Sequence, residues 1–190
     1  MSRICFAIKE GWKNRHRLKQ FLKDRSKQIY QLNDITAEKM DAANIAILIL
    51  DFDGVLAAHD ALEPTQEVHE WLTRLALAVG EQRLAVFSNQ PKLARMQYFK
   101  RHFPSVHFVT QVRKKPYPDG ILEVAAYRGL APHRVALLDD RLLTGMLATC
   151  LAYSQGWYYV HPRQNFCRHP FKESVFSLLR TLEKMMVRWA

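Results

Sequence analysis

Apolar residues along this chain fall into two kinds of run, and the two kinds take turns. Ile45-Ala46-Ile47-Leu48-Ile49-Leu50 is continuous and dense in β-branched residues, as suits a strand buried on both faces of a parallel sheet. Arg83 to Phe87, a short strand over 106–109, Arg134 to Leu138 and Trp157 to Val160 read the same way. Between them the spacing changes to three and four. Val68, Trp71, Leu72, Leu75 and Val79 share one helical face, which Gly80 stops. Pro91 opens a helix carrying Leu93, Met96, Phe99 and Phe103, and further helices are expected over 119–128 and from about Thr144 to 153. A terminal helix over 171–188 places Val175, Leu178, Leu179, Leu182, Met186 and Trp189 on a stripe expected to pack as core or edge. Ahead of the first strand, residues 12–30 read as a basic helix with the sparse stripe Leu18, Phe21, Leu22 and Ile29, and Thr36 caps a short helix over 37–43. The alternation predicts a three-layer αβα, Rossmann-like fold around a parallel sheet.

Candidate chemistry collects where these strands end. The first runs into Asp51-Phe52-Asp53-Gly54-Val55-Leu56, the second into Ser88-Asn89, and the fourth into Asp139-Asp140. In an open parallel sheet the carboxyl ends of the strands share one edge, where ligands bind. Lys114-Lys115-Pro116 lies in a loop leading to the same edge. Any one of these is an ordinary polar turn. Three strand ends and a lysine directed at one place form a specific constellation.

Composition adds a charge asymmetry. The net charge is +10 over 190 residues, and residues 1–30 hold nine basic groups against two acidic ones. That division reads as a basic N-terminal extension over 1–28, with a solvated or membrane-facing helix, ahead of a single globular domain over 29–190. An anionic partner is therefore expected at the N-terminus, either a phospholipid surface or nucleic acid. Three widely spaced cysteines without a C-x-x-C pair fit a reducing compartment. Cys150, His161, Cys167 and His169 lack the spacing of a usual zinc finger. No apolar run reaches the roughly 18 residues that a spanning helix needs. Met1 to Lys9 is too short and interrupted for a secretory signal, while an Arg-rich transit peptide is compatible with the charge.

Asp-x-Asp-Gly-Val, strand-Ser, Lys-Pro and strand-Asp-Asp, in that order, resemble the four motifs of the haloacid dehalogenase superfamily of phosphohydrolases. Ile29 to Ile35, Lys114-Lys115-Pro116, Asp140-Arg141-Leu142-Leu143-Thr144 and Val160-His161-Pro162 extend the resemblance to the YqeG-type, III A subfamily. That group includes phosphatidylglycerophosphate phosphatases. The resemblance implies a magnesium-dependent phosphomonoesterase working through an aspartyl-phosphate. Asp51 would be the nucleophile, and Asp53 the acid and base. Ser88, Asn89 and Lys115 would hold the phosphoryl group. Asp51, the Asp53 carbonyl, Asp140 and Asp139 would hold Mg2+. A lipid headgroup at a membrane surface is the implied substrate, with no obligate protein partner. The implied setting is cytoplasmic or on the inner face of a membrane, and the mitochondrial matrix in a eukaryote. Soluble phosphoesters or polynucleotide ends are the alternative substrates, and an inactive basic binding module is the alternative from another class.

Two departures stand out. The subfamily has Asp-x-Asp-Asn-Thr where Gly54-Val55 stand here. Its fourth motif carries a final Asp where Gly145 stands, and this chain has an extra carboxylate at Asp139. The intervals between motifs hold single helices, so no cap domain is expected and the site should admit a bulky substrate.

Overall fold

The computed structural model describes residues 2–189. Six strands, β1 (Gln28–Ile29), β2 (Ile47–Leu50), β3 (Leu84–Val86), β4 (His107–Phe108), β5 (Val135–Asp139) and β6 (Gln155–Tyr159), form one sheet in the order β1-β6-β5-β2-β3-β4. Every neighbouring pair is parallel, so each connection crosses over a face of the sheet. Helices α3 (Ala37–Ala42), α4 (Gln66–Val79) and α5 (Leu93–His102) cover one face, and α6 (Asp119–Tyr127) and α7 (Leu147–Ala152) the other. The two-residue period of the strands makes this division. Leu48, Leu50, Leu84 and Leu138 join the α4 and α5 side, while Ile47, Ile49, Ala85 and Leu137 join the α6 side. The three-layer α/β architecture is the one expected, and each insertion between motifs is a single helix.

The N-terminal segment departs from the single helix expected over 12–30. It forms α1 (Arg3–Lys13) and α2 (Arg15–Lys23), broken at Asn14. Asp24 then ends α2, its carboxylate accepting from the Ser26 N–H and hydroxyl at 2.9 and 2.6 Å. Beyond this turn the chain extends, and β1 pairs with β6 through Ile29 and Tyr159. The apolar side of α2 is not solvated: Leu18 and Phe21 are buried against Leu147, Cys150, Tyr158 and Val187. Gly156, expected to precede the last strand, lies within β6 instead. A Cβ there would stand 2.8 Å from the Phe21 ring, so glycine lets α2 approach the sheet.

The terminal helix α8 (Pro170–Arg188) forms where expected but faces the other way. Glu173, Arg180 and Glu183 are buried, and the apolar stripe is turned outward. Leu178 and Leu182 are 59 % and 49 % exposed.

Candidate active site

β2 and β5 are hydrogen-bonded neighbours in register, Leu50 beside Leu138, so Asp51 and Asp139 leave the sheet side by side. Asp51, Asp139 and Asp140 are all buried and offer oxygens within 4.8 Å of one another. Among the described residues these three carboxylates are the one such group of metal-ligating side chains. Gly54 makes the crowding possible. Its φ is +87°, and a Cβ there would lie 2.8 Å from the Asp140 carboxylate.

Lys115 reaches into the cluster and Lys114 does not. The Lys115 ammonium is buried 2.8 Å from Asp51 and 2.5 Å from Asp139, whereas Lys114 is exposed. Asn89 holds that loop in place: its carbonyl oxygen accepts from the Lys115 N–H at 2.8 Å, and its amide donates to the Lys115 carbonyl at 3.3 Å. The Asn89 side chain is thus engaged with the Lys115 backbone on both sides.

Asp53 is held apart from the trio. Arg95, fully buried on α5, donates to both Asp53 oxygens at 2.8 and 2.7 Å and to Ser88 Oγ at 3.2 Å. Its remaining donors go to the Ala61 and Gln90 carbonyls, and its plane lies 4.0 Å over the Phe52 ring. Ser88 Oγ also accepts from the Gln90 N–H at 3.0 Å. Arg95 therefore organises both the second aspartate and the strand-end serine.

Gly145 and Asp139 are two halves of one arrangement. The π-helical turn Leu142–Met146 brings Gly145 under Asp139. A Cβ at 145 would stand 2.1 Å from the Asp139 Cγ. The Asp139 side chain occupies the space that a side chain at 145 would need. The missing carboxylate and the additional one are thus a single exchange.

The helix α8 supplies a second cation to the cluster. Arg180 Nε donates to Asp140 at 2.5 Å, while both terminal guanidinium nitrogens are buried without a partner. Buried donors left unmade are costly. Nearby, Glu183 pairs with Arg141 and accepts from the Leu142 and Leu143 N–H groups at 3.0 and 3.3 Å, fixing the π-turn. Glu173 accepts from the His59 backbone at 3.2 Å and pairs with its ring at 3.1 Å, and Lys172 pairs with Asp60. The loop after Asp53 is thereby tied to α8.

Three carboxylates face two cations here, leaving an excess of negative charge in a buried place. Burial raises the Asp51 carboxyl well above its usual range against the pull of Lys115. Burial likewise pushes Asp140 up to about 6, opposed by Arg180. An aspartate whose folded pKa exceeds its unfolded value makes the fold less stable as pH rises from the unfolded value through the folded one. The melting temperature of metal-free protein should therefore gain less between pH 4 and 7 than that of Asp140→Asn, and a divalent cation at pH 7 should raise the wild type selectively. Parallel pH profiles for the two proteins, with no response to the cation, would remove the electrostatic argument.

A cleft of about 680 Å3 lies elsewhere. Arg17, Phe21, Lys27, Lys39 and Trp157 line it at the start of β6, at the amino edge of the sheet. The carboxylates occupy the opposite edge.

Comparisons with known proteins bear on this geometry. The family described as "Mitochondrial PGP phosphatase" matches residues 19–163. No curated protein matches the chain. An uncharacterized protein from Corynebacterium glutamicum is 22 % identical, with a TM-score of 0.47, covering 71 % of this chain and 95 % of its own. A HAD family hydrolase from Deinococcus radiodurans, solved with bound phosphate and sodium, is 18 % identical, with a TM-score of 0.40, covering 65 % and 85 %. A HAD-superfamily hydrolase of subfamily IA from Geobacter sulfurreducens is 15 % identical, with a TM-score of 0.41, covering 72 % and 97 %. The family match spans well over half of the chain and includes every strand-end group described above, so this protein is a phosphatase and belongs to the mitochondrial PGP phosphatase family.

Proposed function

We propose that the protein hydrolyses the phosphomonoester of phosphatidylglycerophosphate, with magnesium held at Asp51, Asp139 and Asp140. The family match carries the choice of substrate. The buried carboxylate trio with Lys115 in its midst carries the chemistry. Carboxylate oxygens are hard donors of the kind magnesium takes, and the trio retains a net negative charge beside Lys115 and Arg180. Bound there, the ion would offset the repulsion between a carboxylate nucleophile and a phosphate dianion.

The remaining steps belong to the chain itself. An Asp51 oxygen attacks phosphorus, the bond to the glycerol oxygen breaks, and an aspartyl-phosphate forms. Asp53 protonates the departing oxygen, then takes a proton from the water that cleaves the acyl phosphate and regenerates Asp51. To do so, an Asp53 oxygen exchanges an Arg95 donor for the reacting group, while Arg95 keeps the carboxylate aimed. Lys115 and the Ser88 hydroxyl stabilise charge on the transferring phosphoryl group. The two unpartnered nitrogens of Arg180 supply further donors for its oxygens.

The described residues include no helix long and apolar enough to cross a membrane. A lipid substrate would place the reaction at a bilayer surface, and the family description points to mitochondria. The space beside Gly145, where the resembled motif carries its final Asp, is filled by the Asp139 carboxylate.

Arg180→Lys keeps the charge but loses the two-pronged donor. It should raise KM for the phosphomonoester about tenfold, with a smaller effect on kcat and an unchanged magnesium requirement. A magnesium requirement that rises while KM stays fixed would instead make Arg180 a support for Asp140. The proposal as a whole is tested by assaying phosphate release from phosphatidylglycerophosphate with and without magnesium.

A further inference from the structure

The helix α8 has its charged side inward and its apolar side outward, the reverse of an ordinary surface helix. Phe171, Val175, Leu178, Leu182, Met185 and Trp189 follow one another at steps of three or four, with exposures from 39 % at Val175 to 87 % at Trp189. The stripe runs about 27 Å along the helix at 1.5 Å per residue. The opposite side cannot trade places with it, because Glu173, Arg180 and Glu183 are committed to His59, Asp140 and Arg141. A second outward stripe, Ile4, Ile8 and Trp12 on α1, is 53–69 % exposed. Gly11 seats α1 against α8, since a Cβ there would lie 3.2 Å from the Met186 Cε.

We infer that the outer faces of α8 and α1 form a docking surface for an anionic phospholipid bilayer. Charge decides between occupants. Arg3, Lys9 and Lys13 are exposed on α1, Arg188 is exposed at the end of α8, and the Lys19 ammonium donates to the Arg188 carbonyl at 3.2 Å. A second copy would bring the same basic groups face to face. A bilayer carrying anionic lipid accepts the apolar stripes in its interface and pairs with the flanking cations. The stripe Leu18, Phe21 and Leu22, expected on a solvated or membrane-facing helix, is largely packed inward, and α8 and α1 supply the apolar face instead.

The surface also bears on the site. The inner side of α8 touches Asp140 through Arg180 at 2.5 Å, so a helix seated in the headgroup layer stands one helix diameter, about 10 Å, from the carboxylates. A headgroup phosphate then reaches the site without its acyl chains leaving the bilayer. This inference rests on the lipid-headgroup reading for its purpose, and its test is separable from that reading.

The test compares the full chain with the double substitution Leu178→Ser and Leu182→Ser, both outward-facing and outside the catalytic machinery. Sedimentation with phosphatidylcholine vesicles containing phosphatidylglycerol, free of substrate, should fall at least about tenfold for the variant. Hydrolysis of short-chain, monomeric phosphatidylglycerophosphate should stay within about twofold, which also reports an intact fold. In the unsubstituted protein, brominated lipid should quench Trp189 fluorescence, identified by its loss in Trp189→Phe. Equal sedimentation of variant and wild type, or no quenching of Trp189, overturns the surface whatever the substrate. A concentration-dependent dimer that the substitutions dissolve also overturns it, in favour of a second copy. Vesicle binding lost in the variant while the wild type leaves monomeric phosphatidylglycerophosphate intact upholds the surface and removes only the substrate assignment.

Discussion

Asp51→Asn is expected to reduce turnover by at least about a thousandfold, since an amide cannot serve as the carboxylate nucleophile on which two displacements depend. The fold should survive. Asp51 sits at the end of β2 in a cluster with excess negative charge, and burial already works against its ionised form. Removing one negative charge there should leave the melting temperature of the metal-free protein equal or higher. Activity and thermal unfolding of the same preparation check both halves. Near-normal turnover with magnesium present would move the nucleophile elsewhere. Lost activity together with a collapsed fold would show only that Asp51 is structural.

The second large effect concerns Gly145. The Gly145→Asp substitution would place a side chain where the Asp139 carboxylate already is, 2.1 Å from a Cβ at that position. Overpacking alone costs about 1–3 kcal/mol, and two crowded carboxylates add to it. Activity should fall at least about a hundredfold, and the melting temperature by several degrees. Adding Asp139→Gly vacates that space and moves the carboxylate to the position it holds in the resembled motif. The double variant should regain most of the lost stability and a substantial share of magnesium-dependent activity. Independent, additive losses would show that the two positions do not exchange for one another.

Much of this arrangement was legible in the chain because it depends on local signals. Continuous apolar runs identify β2, β3 and β5, and residues that follow parallel strands must meet at one edge. The Asp51, Ser88 and Asp139 positions follow from that, and the Lys-Pro of the resembled motif favours Lys115 over Lys114. What escaped depends on partners far away in sequence. Arg95 lies 42 residues from Asp53, and Arg180 lies 40 from Asp140. On their own helices both look like any solvated arginine. Periodicity detects the stripe on α8 but not its direction, because the choice is made by buried partners of Glu173, Arg180 and Glu183. β1 has two residues and follows a basic helix, so its pairing with β6 leaves almost no local trace. The place of Gly156 within β6 is explained by the Phe21 ring packed against it from far away in sequence. The substitution at Gly145 looks like a loss until Asp139 is seen in its place.

Phosphate release from phosphatidylglycerophosphate in mixed micelles, measured across a magnesium titration beside a soluble phosphoester and a 5′-phosphorylated oligonucleotide, tests the central claim most directly. The account predicts release that requires magnesium, favours the lipid over both other substrates and disappears with Asp51→Asn. Magnesium-dependent release from the oligonucleotide or the soluble ester, with the lipid left intact, would contradict it.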